Sequence, residues 1–171
     1  GEIPKGYDHK YIYSHIGYNL KVTDLQASIG IAQLDKLPIF TQARKENHKF
    51  YFEAFDKYKE YFILPKKSRH ADPSWFGFIL TVRDGAPFTR NEIVQYLENS
   101  KIATRMLFAG NITKQPAYIH QNFKIASDLK NTDYLMNNSF WIGVYPGITR
   151  EMRNYVLNTF QEFIKQYDTS L

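Results

Sequence analysis

The stretch GYNLKVTDLQASIGIAQLDKL, residues 17–37, joins a polar loop to a helix and decides how the chain begins to fold. Thr23 and Gln26 match a capping box, in which the threonine hydroxyl accepts a hydrogen bond from a free amide of the first turn. Apolar side chains then recur at helical spacing before Pro38, namely Leu25, Ile29 and Ala32. The stretch therefore predicts a helix that begins after Thr23, directly behind a loop rich in hydrogen-bonding groups.

The composition is that of an ordinary globular protein. Of 171 residues, 43% are hydrophobic and 23% are charged, which does not suit a disordered chain. The formal net charge of +5 is modest and scattered, so it permits an anionic partner without selecting one. The absence of cysteine excludes disulfides, thiolate catalysis and cysteine metal sites within this chain. No apolar run approaches the roughly 20 residues of a membrane helix, and we expect a cytoplasmic protein with no membrane partner.

A second helix is predicted to run from Pro38 through Phe62. Its aromatic residues cover so much of the circumference that we expect contacts on more than one side. The residues before Thr23 do not fit into the predicted small domain and resemble the edge of a larger domain. We therefore expect a contiguous apolar surface on the Phe40–Phe62 helix and on the segment before Thr23, because large exposed patches generally mark interfaces.

Short strands and two further helices follow. Alternating apolar residues predict three strands, at residues 75–83, 102–108 and 139–147. Capping threonines predict helices that begin after Thr89 and Thr149. A long loop with a short helix near residues 132–136 is predicted between the last two strands. Together these elements predict a mixed α/β (α+β) fold in which helices pack on a small sheet.

The sequence contains no complete catalytic set of its own. Its five histidines show no metal-ligand spacing, and it has neither a glycine-rich phosphate loop nor a nucleophile elbow. Four places remain as candidates because of their residue types and surroundings: Asn19, Phe76, Arg105 with Asn111, and Trp141.

Each candidate also has a structural alternative. Asn19 lies before a helix N-terminus, where free amides favour an anion, but it could equally hold the turn backbone. Phe76, beside a glycine that permits close approach, either faces a ligand or belongs to the core. Arg105 in an apolar strand needs a partner, which is either a bound phosphate or carboxylate or a structural ion pair. Asn111 lies in the loop that follows, and Trp141 is either core or a stacking surface.

The stretch at residues 17–37 resembles a segment of the sugar aminotransferase family, which comprises fold type I pyridoxal phosphate enzymes that act on nucleotide-linked keto sugars. Three further stretches extend the resemblance along the chain: DPSWFGFILTV, TRMLFAGNITKQPAY and NTDYLMNNSFWIGVYPGIT. In these the sequence is similar to one branch, the CDP-4-keto-6-deoxyglucose 3-dehydrases of lipopolysaccharide sugar synthesis. The resemblance implies the small C-terminal domain of such an enzyme, with a small, mostly antiparallel sheet. Residues 1–22 would then be the tail of the large cofactor domain, and residues 23–171 the small domain with its linking helices.

The resemblance also implies roles for individual residues. Asn19 would help to hold the phosphate of the cofactor bound to the other subunit of a homodimer. Phe76 stands where transaminating relatives commonly have a histidine, and the loss of an imidazole beside the cofactor fits a dehydrase, which eliminates the C3 hydroxyl. Arg105 and Asn111 match the region that lines the substrate side, so the resemblance implies substrate contacts for Phe76, Arg105 and Asn111.

Cofactors and partners follow from the same resemblance. It implies pyridoxamine or pyridoxal phosphate as cofactor and a nucleotide sugar as substrate. In the closest branch an iron–sulfur cluster and an NADH-dependent reductase complete the deoxygenation, with the cluster ligands outside this chain. The family's cofactor-anchoring aspartate and its catalytic lysine or histidine also lie upstream. The 171-residue chain alone is therefore expected to be inactive.

Two other functions compete with this interpretation. An ordinary pyridoxal phosphate-dependent sugar aminotransferase is disfavoured by Phe76. A basic, aromatic-rich nucleic-acid-binding module shares the predicted combination of sheet and helices. No strand of the aromatic and basic type found in RNA-recognition motifs occurs, so no nucleic-acid partner is expected.

Overall fold

The computed structural model describes residues 18, 20 and 22–167, and the chain divides into two compact units at residues 36 and 37. The first unit contains helix α1 (Asp24–Leu34), which begins where the sequence predicts. The Thr23 amide donates to the Gln26 side chain at 2.9 Å, and the Gln26 amide donates to the Thr23 hydroxyl at 3.4 Å. The predicted capping box is therefore confirmed.

The second unit contains the remaining helices and the sheet. Its elements in chain order are α2 (Leu37–Ala54), a 3-10 turn (Phe55–Tyr58), β1 (Phe62–Ile63), β2 (Gly77–Val82), α3 (Arg90–Asn99), β3 (Thr104–Met106), a second 3-10 turn (Ile112–Lys114), α4 (Lys130–Asn138), β4 (Ser139–Gly143) and α5 (Arg150–Lys165). The second helix is thus shorter than predicted. It ends at Ala54, and Phe62 belongs to a strand, because Phe62 and Ile63 pair with Val82 and Thr81 of β2.

The four strands form one antiparallel sheet in the order β1-β2-β4-β3. In the central pair, Phe78 lies opposite Ile142 and Leu80 lies opposite Phe140. All four of these side chains are essentially inaccessible to solvent, so they mark the face of the sheet that the helices cover. The predicted fold class, a small antiparallel sheet with helices packed on it, is confirmed.

The core between the sheet and the helices is built largely from aromatic rings. Phe55 is completely buried, and its ring centroid lies 4.7 Å from that of Phe160 and 5.5 Å from that of Phe78. The contact between Phe55 and Phe160 is edge-to-face, a geometry that stabilises a core beyond the burial of apolar area. Tyr58 and Phe62 join the same cluster at 5.9 and 6.1 Å from Phe55.

The expected apolar surface is not where the sequence placed it. Of the eight phenylalanines and tyrosines from Phe40 to Phe62, four are buried in the core and two more are partly buried against it, and only Phe40 and Phe52 are as much as 37% exposed. The prediction for this helix was therefore wrong, because its broad aromatic stripe packs on the sheet and on α5. Exposed apolar residues are found instead on α1 and just before it, and at the start of α2, namely Val22, Leu25, Ile29, Ile31, Leu34, Leu37 and Ile39. Most of the segment before Thr23 lies outside the described residues.

Asn47 joins three elements at the end of β4. Its side chain is 3% exposed and donates to the carbonyl oxygen of Tyr145 at 3.0 Å. Its oxygen accepts from Nη1 of Arg153 on α5 at 3.2 Å, and that guanidinium lies 4.7 Å from the centre of the Phe50 ring. Since a buried amide is costly when unpaired, this network holds α2, α5 and the turn after β4 in one arrangement.

His48 gives the fold a predictable response to acid. Its ring is 5% exposed and stacks on Trp75 with centroids 3.8 Å apart, and burial lowers the pKa of His48 to about 4. Below pH 6.5 His48 binds a proton in the unfolded chain, whereas in the folded chain it stays neutral until the pH falls to about 4. The free energy of unfolding should therefore fall as the pH drops from 6.5 to 4, by up to about 3 kcal/mol at about 1.4 kcal/mol per pKa unit.

The measurement is urea unfolding at several pH values between 7 and 4. His48→Phe keeps a ring against Trp75 and should lack the loss of stability between pH 6.5 and 5. A pH dependence in this interval that is the same in both proteins would contradict the prediction.

Candidate functional site

A row of three side chains crosses the sheet on the face opposite the core. Arg105 of β3 pairs with Trp141 of β4, and Trp141 pairs with Ile79 of β2. Directly paired residues in antiparallel strands project on the same side, and the neighbouring residue Ile142 points into the core. The arginine and the indole therefore lie side by side on the outer face.

Gly77 allows the indole of Trp141 to lie against the sheet. A Cβ atom built on Gly77 would come within 2.5 Å of Cε3 of Trp141, a distance that real side chains do not tolerate. The close approach that the glycine of WFGF predicts is thus made by a side chain of the same domain. Trp141 is half-buried, and its Nε1 has no hydrogen-bond partner within the described part of the chain.

Two exposed phenylalanines extend this aromatic surface. Phe76 is 64% exposed, with its ring centroid 5.0 Å from that of Trp141. Phe108 is 76% exposed, and its ring lies 6.3 Å from the Phe76 ring at an angle of 26°. Phe76 is therefore not a core residue, which removes the structural alternative for that position.

Two clefts of about 640 Å³ each share the arginine and the indole. The first, named here the aromatic cleft, is lined by Phe76, Phe108, Arg105 and Trp141 together with residues of α3 and β3. The second is lined by Arg105, Trp141 and the first turn of α5, among other residues. Arg105 is thus placed where a ligand in either cleft would meet its charge.

Arg105 is exposed, and within residues 22–167 no hydrogen bond or ion pair engages its guanidinium. Glu98 lines the same cleft, but its carboxylate accepts from the amide and the hydroxyl of Thr104, at 2.5 and 2.8 Å. The structural ion pair considered for Arg105 is therefore not found among the described residues. Its fork of donors remains available to an anion.

Asn111 has a different environment. It is 2% exposed, its Nδ2 donates to Oδ1 of Asp133 at 2.7 Å, and its Oδ1 accepts from the amide and hydroxyl of Thr113. Lys114 also bonds that carboxylate at 2.8 Å, and the Lys114 ammonium, then the Asn111 amide, hold the pKa of Asp133 below its ordinary value. The Asn111 side chain is therefore engaged within the domain, and Asn111 is not among the residues that line the aromatic cleft. Its role in substrate binding stays a prediction.

Asn19, the predicted cofactor contact, lies outside the described residues. In the described part of the chain no group of three or more metal-binding side chains comes together. The same part holds no helix that is both long enough and apolar enough to cross a membrane.

Phe108 was missed by sequence reasoning. It ends the predicted strand IATRMLF, and the glycine and asparagine that follow form an ordinary turn signal. That signal could have located the turn but not the ring contact with Phe76, which depends on the register of β3 against β4.

The family model described as the DegT/DnrJ/EryC1/StrS aminotransferase family matches residues 3–161. The chain therefore belongs to this family of sugar aminotransferases and dehydratases.

Similar proteins and structures agree with that assignment. The chain is 45% identical to the lipopolysaccharide biosynthesis protein RfbH of Salmonella typhimurium, over 95% of this chain and 37% of the relative. It is 46% identical to a dTDP-4-dehydro-2,6-dideoxy-D-glucose 3-dehydratase of Saccharopolyspora spinosa, over 96% of this chain and 35% of the relative. The chain thus spans little more than a third of either protein.

A solved GDP-4-keto-6-deoxymannose-3-dehydratase, which holds a trapped PLP-glutamate geminal diamine, has the same fold. Its structure matches with a TM-score of 0.78 at 23% identity, over 91% of this chain and 40% of that chain.

Proposed function

We propose that this chain is the C-terminal part of a pyridoxamine phosphate-dependent nucleotide-sugar 3-dehydrase. The enzyme removes the C3 hydroxyl of a CDP-linked 4-keto-6-deoxy sugar in lipopolysaccharide sugar synthesis. Two relatives at 45 and 46% identity support it, one a lipopolysaccharide biosynthesis protein and the other a 3-dehydratase. In this proposal residues 1–22 belong to the cofactor domain, and residues 23–171 form the small domain.

The observation that favours a dehydrase over an aminotransferase is the exposed phenyl ring of Phe76 in the aromatic cleft. A phenyl ring can neither accept nor donate a proton, so it cannot serve the proton transfers that amino transfer requires. Together with Trp141 it instead presents an apolar wall to the sugar. Arg105 binds the diphosphate of the same ligand, since its charge is unpaired within the described residues and guanidinium suits phosphate oxygens.

The remaining parts of the proposal lie outside the described residues. When bound, pyridoxamine phosphate supplies an amine and an electron sink. Asn19 contributes to its phosphate site across a cytoplasmic homodimer. An iron–sulfur cluster and an NADH-dependent reductase complete the deoxygenation, with the cluster held by other parts of the enzyme. For this reason the 171-residue chain by itself is expected to be inactive.

The function is tested with the complete enzyme. Incubation with CDP-4-keto-6-deoxyglucose, pyridoxamine phosphate, reductase and NADH should yield the 3-deoxy sugar nucleotide, measured by mass spectrometry. Formation of the 4-amino sugar from added glutamate, with no 3-deoxy product, would instead assign the enzyme to the aminotransferases.

The role of Arg105 is tested by binding of CDP to the chain. Arg105→Gln should weaken the affinity by about 10- to 100-fold, because hydrogen bonds to a charged group contribute about 1.5–3 kcal/mol. Isothermal titration gives the dissociation constants. Arg69→Gln is the matched control, since Arg69 is also exposed and lines neither cleft. An equal loss in both variants would show a general effect of charge and would contradict a phosphate site at Arg105.

A further inference from the structure

Phe108 is held in a backbone conformation that large side chains seldom adopt. Its φ is +47°, in the left-handed region, which is an outlier for a bulky residue and is common at binding sites. The turn around it is closed by two backbone hydrogen bonds. The Phe108 amide donates to the Met106 carbonyl at 2.7 Å, and the Gly110 amide donates to the Leu107 carbonyl at 3.1 Å.

The far end of this turn is fixed as well. Gly110 has a φ of +62°, and a Cβ atom there would lie 2.4 Å from Cγ of Met136, so only glycine fits. The next amide, that of Asn111, donates to the Met136 sulfur at 3.3 Å, while the Asn111 side chain bonds Asp133 at 2.7 Å. Because β3 holds the turn at one end and α4 holds it at the other, Phe108 is presented by an ordered turn.

The Phe108 ring gains little from its position in this chain. It is 76% exposed, and within the described residues its one ring contact is with Phe76, which is itself 64% exposed. A strained, tethered backbone that holds an apolar ring in solvent indicates a surface that becomes covered when a ligand binds. Arg105 lines the same cleft and its guanidinium has no ion-pair partner among residues 22–167, which indicates a ligand that combines an apolar part with an anionic part.

We propose that Phe108, together with Phe76, contacts the C6 side of the hexose and makes the site selective for a 6-deoxy sugar. This inference rests on the proposed function, which makes the ligand a nucleotide sugar. A 6-deoxyhexose carries a methyl group where an ordinary hexose carries a hydroxymethyl group. The methyl group packs favourably on phenyl rings, whereas the hydroxyl would lose water without gaining a hydrogen bond.

The test compares three ligands of the chain: CDP-6-deoxyglucose, CDP-glucose and CDP. The wild type should bind the 6-deoxy form about 10-fold more tightly than CDP-glucose, the usual scale of discrimination by one small apolar group. In Phe108→Ser this ratio should fall to about 1–2, with the affinity for CDP unchanged, while Phe108→Leu should retain part of the preference. Isothermal titration measures all three constants.

Phe123→Ser is the matched control. Phe123 is 46% exposed and lines neither cleft, so the ratio between the two sugar nucleotides should stay at its wild-type value. A ratio that Phe108→Ser leaves unchanged would overturn the inference, as would an equal loss of affinity for CDP alone.

The inference and the proposed function fail in different ways. If the wild-type chain binds CDP through Arg105 but does not distinguish the two sugars, the selectivity of Phe108 is wrong and the dehydrase proposal stands. If the chain distinguishes the sugars but the complete enzyme forms no 3-deoxy product, the proposed dehydrase reaction is wrong, and the contact of Phe108 with the sugar stands. A wild-type chain that binds none of the three ligands overturns the inference.

Discussion

Replacing Phe76 by histidine in the complete enzyme should increase amino transfer at the expense of deoxygenation. The side chain at this position is 64% exposed in the aromatic cleft, so an imidazole there would reach a bound ligand without disturbing the core. An imidazole can shuttle a proton where a phenyl ring cannot, and a positioned acid–base group commonly contributes ~100- to 10,000-fold. We expect a gain below that range, because the family resemblance implies that a dehydrase has histidine at the catalytic position upstream of this chain, where aminotransferases have lysine.

The measurement is the fraction of amino sugar formed from the keto-sugar nucleotide and glutamate by wild type and variant. Phe76→Leu is the control, since it removes the ring but adds no proton-transfer group and should not form additional amino sugar. An unchanged product ratio in a Phe76→His protein that is folded and binds the cofactor would show that this position does not decide between the two reactions.

The largest loss of stability is expected for Phe55→Ala. Phe55 is completely buried and its ring contacts five neighbouring rings across the core, those of Tyr51, Tyr58, Phe62, Phe78 and Phe160. Truncation removes the apolar contacts and leaves a cavity that rigid aromatic neighbours cannot readily fill. A buried phenylalanine replaced by alanine typically costs about 3–5 kcal/mol, and urea unfolding of the chain would show this as a lower free energy of unfolding.

Phe52→Ala provides a matched comparison in the last turn of α2, directly before the 3-10 turn that contains Phe55. Phe52 lies less than one turn from Phe55 but is 37% exposed, so its truncation should cost less than about 1 kcal/mol. Equal losses at the two positions would contradict the assignment of Phe55 to the centre of the core.

The helix starts were predictable because their signals are local. The Thr89 amide donates to the Glu92 carboxylate at 2.6 Å, and the Thr149 hydroxyl accepts from the Met152 amide at 3.2 Å, so each cap involves residues three positions apart. A cap of this kind is favourable in almost any tertiary setting. Strand β1 was not predictable, because it has only two residues and exists through pairing with β2.

The candidate site was predictable in part. Residue type and neighbours selected Phe76 and Arg105, and both prove to line one cleft. Asn111 was also selected, yet its side chain bonds Asp133, which is 22 positions away. No local pattern distinguishes an asparagine that faces a ligand from one that holds a turn, since both follow a strand and precede a short helix.

The sequence by itself thus determined the starts of the threonine-capped helices, the mixed α/β class and the family, because these depend on caps, periodicity and motif stretches that are read along the chain. Only the tertiary structure decided which aromatic residues are buried and which line the cleft. The pairing of β4 with β2 and β3 sets Trp141 against Gly77 and beside Arg105, and Asn47 reaches a carbonyl 98 positions away. The physical reason is that the exposure of a ring depends on strand register and packing between distant segments.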